Sequence, residues 1–325
     1  MPYFRLPNST PKCAFSLLEM AIVLVVIGLI VGGVLVGRDL IASGKIQAQT
    51  AQINQYDTAV KAFESKFDDL PGDIRKTRVE RFGFTGSAVR AGTVSQGDGN
   101  GEINGICCGD NPITNGVKIR SALNNGEARW FWIDLSTNSG LIDGSFNSAN
   151  PNPMAGGTSY FATTNPRMTL ILPRSKIADD VFIYTIPTSA WRIATDADKT
   201  LFNHFVIASV SSVDGNGAMR MGTMRPGLTA LQAYNMDLKT DDGAPQSGYV
   251  TARYETWDLF NNPNYLDGVV GASGGGVVGA PGTAATPASA NTCYDNGNSA
   301  TNAAQRYTLN QATQNRNCAL MIRFR

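Results

Sequence analysis

Histidine and charged residues are scarce in this sequence. His204 is the only histidine among 325 residues, and Asp, Glu, Lys and Arg together make up 16% of the chain. A metal site built from several histidines is therefore excluded, and neither a Walker-type phosphate loop nor a C-x-x-C motif is present. We expect His204 to be a structural residue of an apolar strand. We also expect no enzymatic activity, with a membrane-anchored enzyme as a remote alternative.

The chain lacks an excess of either charge. Lys and Arg number 27 against 26 Asp and Glu, and the aromatic residues do not alternate with a basic stripe. A nucleic-acid partner is therefore not expected. Gly, Asn, Ser and Thr are abundant, which favours short strands and many turns, so the sequence predicts a β-rich domain.

A long apolar run is the strongest feature of the sequence. Residues 15–37, FSLLEMAIVLVVIGLIVGGVLVG, contain one charged residue, Glu19. A helix of this length can cross a hydrocarbon core about 30 Å thick, so the run predicts a transmembrane helix. Residues 1–14 contain Arg5, Lys12 and three prolines but no acid, which is typical of a short basic leader.

Glu19 needs a partner, because a carboxylate deep in a membrane costs at least about 2.5–3.5 kcal/mol. Cleavage before Phe15 would create an α-amino group four residues, or one helical turn, from Glu19. The same amine could instead meet the Glu19 of a neighbouring copy. A cut between Ala14 and Phe15 would therefore supply the cation.

These residues resemble the prepilin-peptidase signature of type IV pilins and type II secretion pseudopilins. The match is carried by Ala14, Phe15 and Glu19, in a basic leader followed by an apolar run. The resemblance implies cleavage between Ala14 and Phe15, N-methylation of Phe15 and a role for Glu19 in assembly. The family usually has Gly immediately before the cleavage site, where this chain has Ala14. This difference bears on the efficiency of cleavage.

The resemblance also implies a function and partners. The chain is expected to be a structural subunit of a type IV pilus or a type II secretion-like filament. Its partners would be other pilin or pseudopilin subunits, a prepilin peptidase and an inner-membrane assembly platform. It would be a single-pass inner-membrane protein before assembly and part of a periplasmic or cell-surface filament afterwards. The alternative is a minor or tip pilin that acts as an adhesin or as a ligand- or DNA-binding subunit.

The predicted fold class is α+β, with a long N-terminal helix packed on a β-rich globular head, as in pilins. Apolar residues recur every seven positions beyond the apolar run, so residues 38–70 are predicted to be an amphipathic half of the same helix. The head comprises residues 71–325, with a Gly-, Ala- and Pro-rich loop at 267–291. Further helices are predicted at 121–139 and 226–239, and strands at 168–173, 181–187, 204–213 and 318–324.

One loop has the spacing of a cation site. Oxygen-bearing side chains alternate at Asp98, Asn100, Glu102 and Asn104, a pattern that can surround calcium. The loop is not an EF-hand, because Ile103 replaces the glycine that such a loop requires. Some pseudopilins bind calcium in loops, so the resemblance supports calcium as the one possible cofactor. The alternative is a solvated turn.

A second acidic cluster, Asp237, Asp241 and Asp242 with Lys239, follows the second predicted helix. Helix capping and local ion pairing are expected there, while a shared cation and an acid pair are the alternatives.

Five cysteines remain to be assigned. Cys13 lies in the leader, which leaves an even number, compatible with disulfides in an oxidising compartment. A disulfide between Cys293 and Cys318 is predicted. Adjacent Cys107 and Cys108 are not expected to bond to each other, and unpaired buried thiols are the alternative.

Overall fold

The structure is a computed structural model. It describes residues 17–86, 90, 92, 96–103, 126–146, 160–162, 166–187, 202–210, 212–214, 224–245, 247–253, 293–295, 306–309 and 316–324. The leader at 1–14, the loop at 267–291, Phe15, Asn104 and the Cys107–Cys108 pair lie outside these residues.

The helices and strands follow one another along the chain in α+β order. The helices are α1 (Leu17–Phe67), α2 (Lys76–Phe82), α3 (Glu127–Ile133) and α4 (Ala230–Thr240), with a π-helix at Asp134–Asn138 and a 3-10 helix at Pro166–Leu170. The strands are β1 (Tyr160–Ala162), β2 (Val181–Pro187), β3 (Asn203–Val210), β4 (Ser212–Asp214), β5 (Met224–Arg225), β6 (Leu228–Thr229), β7 (Val250–Arg253), β8 (Tyr294–Asp295), β9 (Arg306–Tyr307) and β10 (Arg316–Arg323).

The chain divides into two compact units, Met1–Lys45 and Ile46–Arg325. The described part of the first unit is helix α1 up to Lys45, and it is exposed apart from the half-exposed Gly37. This helix is long and apolar enough to cross a membrane. The predicted transmembrane segment is therefore a helix with the required length and composition.

The second unit begins with the amphipathic part of α1, whose predicted stripe is confirmed. The side chains that recur every seven residues are all buried: Ile46, Ile53, Tyr56, Val60, Phe63, Phe67 and Leu70. Tyr56 packs edge-on against Trp132 of α3, with ring centroids 5.1 Å apart, and also contacts Phe205 of β3. The helix ends at Phe67, just before Leu70 and Pro71.

An antiparallel sheet forms the centre of the second unit. Its strand order is β2-β3-β10-β6, with β5 paired to β3 and β7 paired to β10. Strands were predicted at 181–187, 204–213 and 318–324, and the structure has β2, β3 followed by β4, and β10 there. Both faces of β10 are buried from Asn317 to Ile322, which agrees with its place between β3 and β7.

The predicted strand at 168–173 is wrong, because this segment contains a 3-10 helix that ends at Leu170. The Met168 carbonyl accepts hydrogen bonds from the Ile171 and Leu172 amides, which closes a helical turn. Met168 and Leu172 are both fully buried. Residues four apart lie on the same face of a helical turn and of a strand, so the burial of these two side chains suits both, and the hydrogen bonds identify the helical turn.

The two predicted head helices have different bounds in the structure. The first comprises α3 and the π-helix that continues it to Asn138, while the second, predicted from 226, begins at Ala230. Thr229 fixes that start, since it forms a capping box with Gln232 in which each side chain bonds the other's backbone amide.

The predicted disulfide between Cys293 and Cys318 is present, with Cα atoms 5.0 Å apart. It joins the segment of β8 to strand β10 of the central sheet. Both cysteines are fully buried. The Cys293 carbonyl accepts a hydrogen bond from the Thr308 amide, so β8 and β9 are held together at the same point.

A buried ion pair joins Arg90, which follows α2, to Asp134, the first residue of the π-helix. Arg90 donates two hydrogen bonds to Asp134, at 2.9 and 2.6 Å, and both side chains are fully buried. Asp134 also accepts from the Gly72 amide and from Asn138. The Arg90 guanidinium lies 4.5 Å from the ring centre of Trp130. One carboxylate therefore connects three segments that are distant in sequence.

Replacing Asp134 by alanine should lower the free energy of unfolding by about 3–5 kcal/mol, because it leaves Arg90 buried without its counter-charge. Urea denaturation of the full chain in detergent micelles measures this loss. Asp57→Ala is the matched control, since it removes an exposed pair with Lys61 and should cost about 0.5 kcal/mol or less. Equal effects of the two substitutions would contradict the role assigned to Asp134.

Candidate functional site

The first candidate site is the exposed apolar part of α1. Seventeen large apolar side chains on it are exposed: Leu17, Leu18, Met20, Ile22, Val23, Leu24, Val25, Val26, Ile27, Leu29, Ile30, Val31, Val34, Leu35, Val36, Leu40 and Ile41. Burying one such side chain is worth about 1.5–3 kcal/mol, so a few tens of kcal/mol favour covering this helix with lipid or protein.

Glu19 lies in the first turn of α1 among these side chains. Its neighbours Leu18 and Met20 are exposed to 69% and 54%. A carboxylate near a helix N-terminus is favoured by the helix dipole. The two predicted processing residues, Ala14 and Phe15, lie outside the described residues, so cleavage and methylation stay predictions.

The second candidate site is a group of three carboxylates in the second unit. Oxygen atoms of Asp73, Asp98 and Glu127 all lie within 4.8 Å of one another. Asp73 and Glu127 are buried, and Asp98 is half-buried. Carboxylate oxygens at this separation can contact a single hard cation such as calcium, or they can share a proton.

Backbone amides of the loop at 97–103 hold these carboxylates in place. Asp73 accepts hydrogen bonds from Gly99 and Gly101, each at 2.7 Å, and Glu127 accepts one from Gly97 at 2.8 Å. All three glycines have positive φ, which L side chains rarely adopt. The glycines therefore let the loop fold its amides around the acids.

The predicted calcium ligands are only partly brought together. Asn100 donates to Asp98 at 3.1 Å and accepts from the Glu102 amide at 2.7 Å, so its amide group closes turns within the loop. Asn104 is outside the described residues. Asp73 and Glu127 were not predicted as ligands, because they lie in other segments of the chain, the turn after α1 and the start of α3. Calcium binding at this loop stays a prediction.

The pKa of Asp73 is raised to about 7: burial is the largest cause, the amides of Gly101 and Gly99 oppose it, and the nearby Asp98 adds to it. An acid with a raised pKa in the folded state favours folding below its unfolded pKa of about 3.9, and this contribution is lost as the pH rises through about 7. The cluster is thus suited to a proton at acidic pH and to a cation at alkaline pH.

The third candidate site is the acidic cluster of Asp237, Asp241 and Asp242 at the end of α4, where Asp241 is the C-cap residue, as the predicted capping role requires. Asp237 accepts from Tyr307 and from the Gly243 amide, and Asp242 accepts from Ala244 and Ser247. Burial raises the pKa of Asp237 to about 6.

Local ion pairing by Lys239 was also predicted, and this part is wrong: no described carboxylate lies within 4 Å of its amine. The acids are instead occupied by backbone amides and hydroxyls, while Lys239 is exposed on α4.

Comparison with known proteins does not assign a family. No protein-family model matches the chain, and neither the curated proteins nor the solved structures give a significant match. The function must therefore be inferred from the residues and their geometry.

Raising the pH from 5 to 8 should lower the free energy of unfolding of the wild type, because Asp73 loses its proton beside two other carboxylates. Asp73→Asn should reduce this pH dependence, since an amide imitates the protonated acid. Asp143→Asn, at an exposed carboxyl, is the matched control and should leave it unchanged. Thermal unfolding at several pH values measures all three proteins.

Calcium should raise the melting temperature of the wild type at pH 8 more than at pH 5, because only the ionised cluster attracts the ion. Asp98→Asn and Asp73→Asn should each remove most of this increase. An equal increase in both variants and the wild type would place calcium elsewhere. No increase at all would mean that the calcium prediction is wrong and that a proton alone holds the cluster.

Proposed function

We propose that this chain is a prepilin-type subunit, delivered to the inner membrane by the first part of α1 and then built into a type IV pilus or a type II secretion-like filament. The observation that carries the proposal is the exposed apolar part of α1, which has a single acid, Glu19, in its first turn. The fold expected for such a subunit, a pilin-like head on a long helix, is part of the same proposal.

The dimensions of the apolar segment support membrane insertion. Residues 17–37 form 21 residues of helix, or about 31 Å at 1.5 Å per residue, which matches the hydrocarbon core of a bilayer. Arg38 and Asp39 follow at the end of this length, where the membrane interface would begin. A soluble chain would gain nothing from keeping such a surface in water.

Glu19 distinguishes a filament subunit from a simple anchor. A simple membrane anchor does not require a carboxylate among lipid chains, and inserting that charge into the bilayer costs free energy. Cleavage between Ala14 and Phe15 would create an amine one helical turn away, on the same chain or on a neighbouring copy. Pairing between copies would set the register of one subunit against the next.

The glycines of the segment leave room for neighbouring helices. A Cβ atom built at Gly28, Gly32, Gly33 or Gly37 would meet no atom of the described residues within 4 Å. Packing inside the chain therefore does not explain their small size. Small residues at four-residue spacing allow close approach between membrane helices, which supports contacts with other subunits.

The proposal includes the partners and locations that such a subunit needs. A prepilin peptidase would remove the leader, and an inner-membrane assembly platform would extract the processed chain. The remainder of α1, from Ile46, already serves the core of the second unit. Extraction would therefore replace lipid by other subunits around the exposed segment without unfolding that core.

Glu19→Gln should leave membrane insertion intact but reduce incorporation into filaments by about 10- to 100-fold. The reason is that a charge-assisted hydrogen bond contributes about 1.5–3 kcal/mol and each 1.4 kcal/mol is tenfold. The measurement is the fraction of the chain in sheared filaments from cells that carry the processing and assembly machinery.

Asp39→Asn is the matched control, because it removes a like charge from the other end of the apolar segment and should assemble normally. Membrane fractionation checks that both variants insert. Filament incorporation of Glu19→Gln at the wild-type level would contradict the proposal.

A further inference from the structure

The side chain of Arg323, at the end of strand β10 in the central sheet, contacts two aromatic rings. The Arg323 guanidinium carbon lies 4.1 Å from the ring centre of Phe202 and 4.3 Å from that of Tyr249. The Arg323 amide also donates to the Tyr249 carbonyl at 2.9 Å, so backbone and side chain both join the two residues. Stacking on two rings holds the guanidinium plane in one orientation.

The hydrogen-bond donors of this guanidinium have no acceptor among the described residues. Two other arginines of the second unit bind carboxylates: Arg316, also on β10, binds Asp180 at 2.8 Å, and Arg75 binds Asp69 at 2.7 Å. Arg323 instead contacts two ring faces. Within the part of the chain that the structure describes, no carboxylate competes for its N–H groups.

The turn before β7 is built to place Tyr249. Asp241 accepts hydrogen bonds from the Tyr249 and Val250 amides, the second at 3.0 Å. Gly243 and Gly248 have φ values of +73° and +76°, and a Cβ atom at Gly248 would overlap the Asp241 carboxylate. The turn is therefore fixed by the two glycines and by three acids, Asp237, Asp241 and Asp242, and it leaves the ring of Tyr249 exposed.

Tyr249 adds nothing to the core that would explain this arrangement. Its side chain is 58% exposed, which places it on the surface rather than in a cleft. Tyrosine and arginine together are the residues most often found to dominate binding at protein interfaces. We propose that Arg323 and Tyr249 form a contact site that binds an Asp or Glu carboxylate of a partner protein.

The chemistry of the site favours that partner over others. A planar guanidinium matches the two oxygens of a carboxylate, and the exposed ring can cover the apolar atoms beside it. Small ligands prefer concave, largely enclosed pockets, whereas this ring is open. Nucleic acids need several neighbouring cations, while the chain has a net charge of only +1.

The site lies in the second unit, far along the sequence from the apolar segment, and it does not depend on filament assembly. The test therefore uses the full chain dissolved in detergent micelles. The probe is a labelled peptide in which glutamate alternates with leucine. Its glutamine twin is the same peptide with every glutamate replaced by glutamine. Fluorescence anisotropy measures the Kd of each.

The wild type should bind the glutamate peptide at least about tenfold more tightly than the glutamine twin. Arg323→Gln should weaken binding by about 10- to 30-fold, and Arg323→Lys by less, since an amine is a single point charge. Tyr249→Ala should weaken binding, whereas Tyr249→Phe should retain it. Arg316→Gln is the matched control and should bind normally, because Asp180 already occupies that arginine.

Several results would overturn the proposal. These are equal affinity for the two peptides, wild-type affinity in Arg323→Gln, or no binding of either peptide. Arg323-dependent binding of oligogalacturonate or of anionic lipid vesicles, without binding of the glutamate peptide, would also overturn it and would assign the site to a glycan or a membrane. Thermal unfolding confirms that each variant is folded, and none of these outcomes bears on filament assembly.

Discussion

Helix α1 exposes seventeen large apolar side chains, and their contact with water is strongly unfavourable. The need to cover them is the main physical constraint on this protein. The segment has the length of a membrane core and a single acid in its first turn. Lipid satisfies the apolar side chains but not the acid. Other subunits can satisfy both, if each presents an apolar helix and an amine. In the function that we propose, membrane insertion and then filament assembly would each cover this apolar surface.

Carboxylates organise the second unit in a different way, and Asp134 and Asp73 are buried while Asp241 is half-buried. Asp134 neutralises Arg90, Asp73 accepts two amides of a glycine-rich loop, and Asp241 accepts two amides of the turn before β7. Each acid thereby fixes a loop that has little apolar surface of its own. In a chain with few charged residues, these acids substitute for the core contacts that the loops lack, and two of the loops carry the candidate sites.

The sequence was sufficient to predict the features that depend on local spacing. The seven-residue repeat predicted the buried face of α1, and the strands β2, β3 and β10 followed from their apolar runs. The segment near Met168 was assigned wrongly because a short apolar run suits a strand and a helical turn equally.

The Cys293–Cys318 disulfide was predicted, but the long-range contacts that form the candidate sites of the second unit could not be. Asp73, Asp98 and Glu127 meet because separate turns converge, and Arg323 meets Tyr249 because β10 pairs with β7. A rule about residue spacing within one segment cannot predict either of these contacts.

The most direct test of the central claim is the intact mass of the mature protein, isolated from cells that possess a prepilin peptidase. The account predicts a chain that begins at Phe15, heavier by one methyl group, with Cys293 and Cys318 oxidised. A peptidase-deficient strain should yield the uncut chain. A mature protein that retains residues 1–14 in the presence of the peptidase would contradict the account, because the amine that we propose as the partner of Glu19 would then not form.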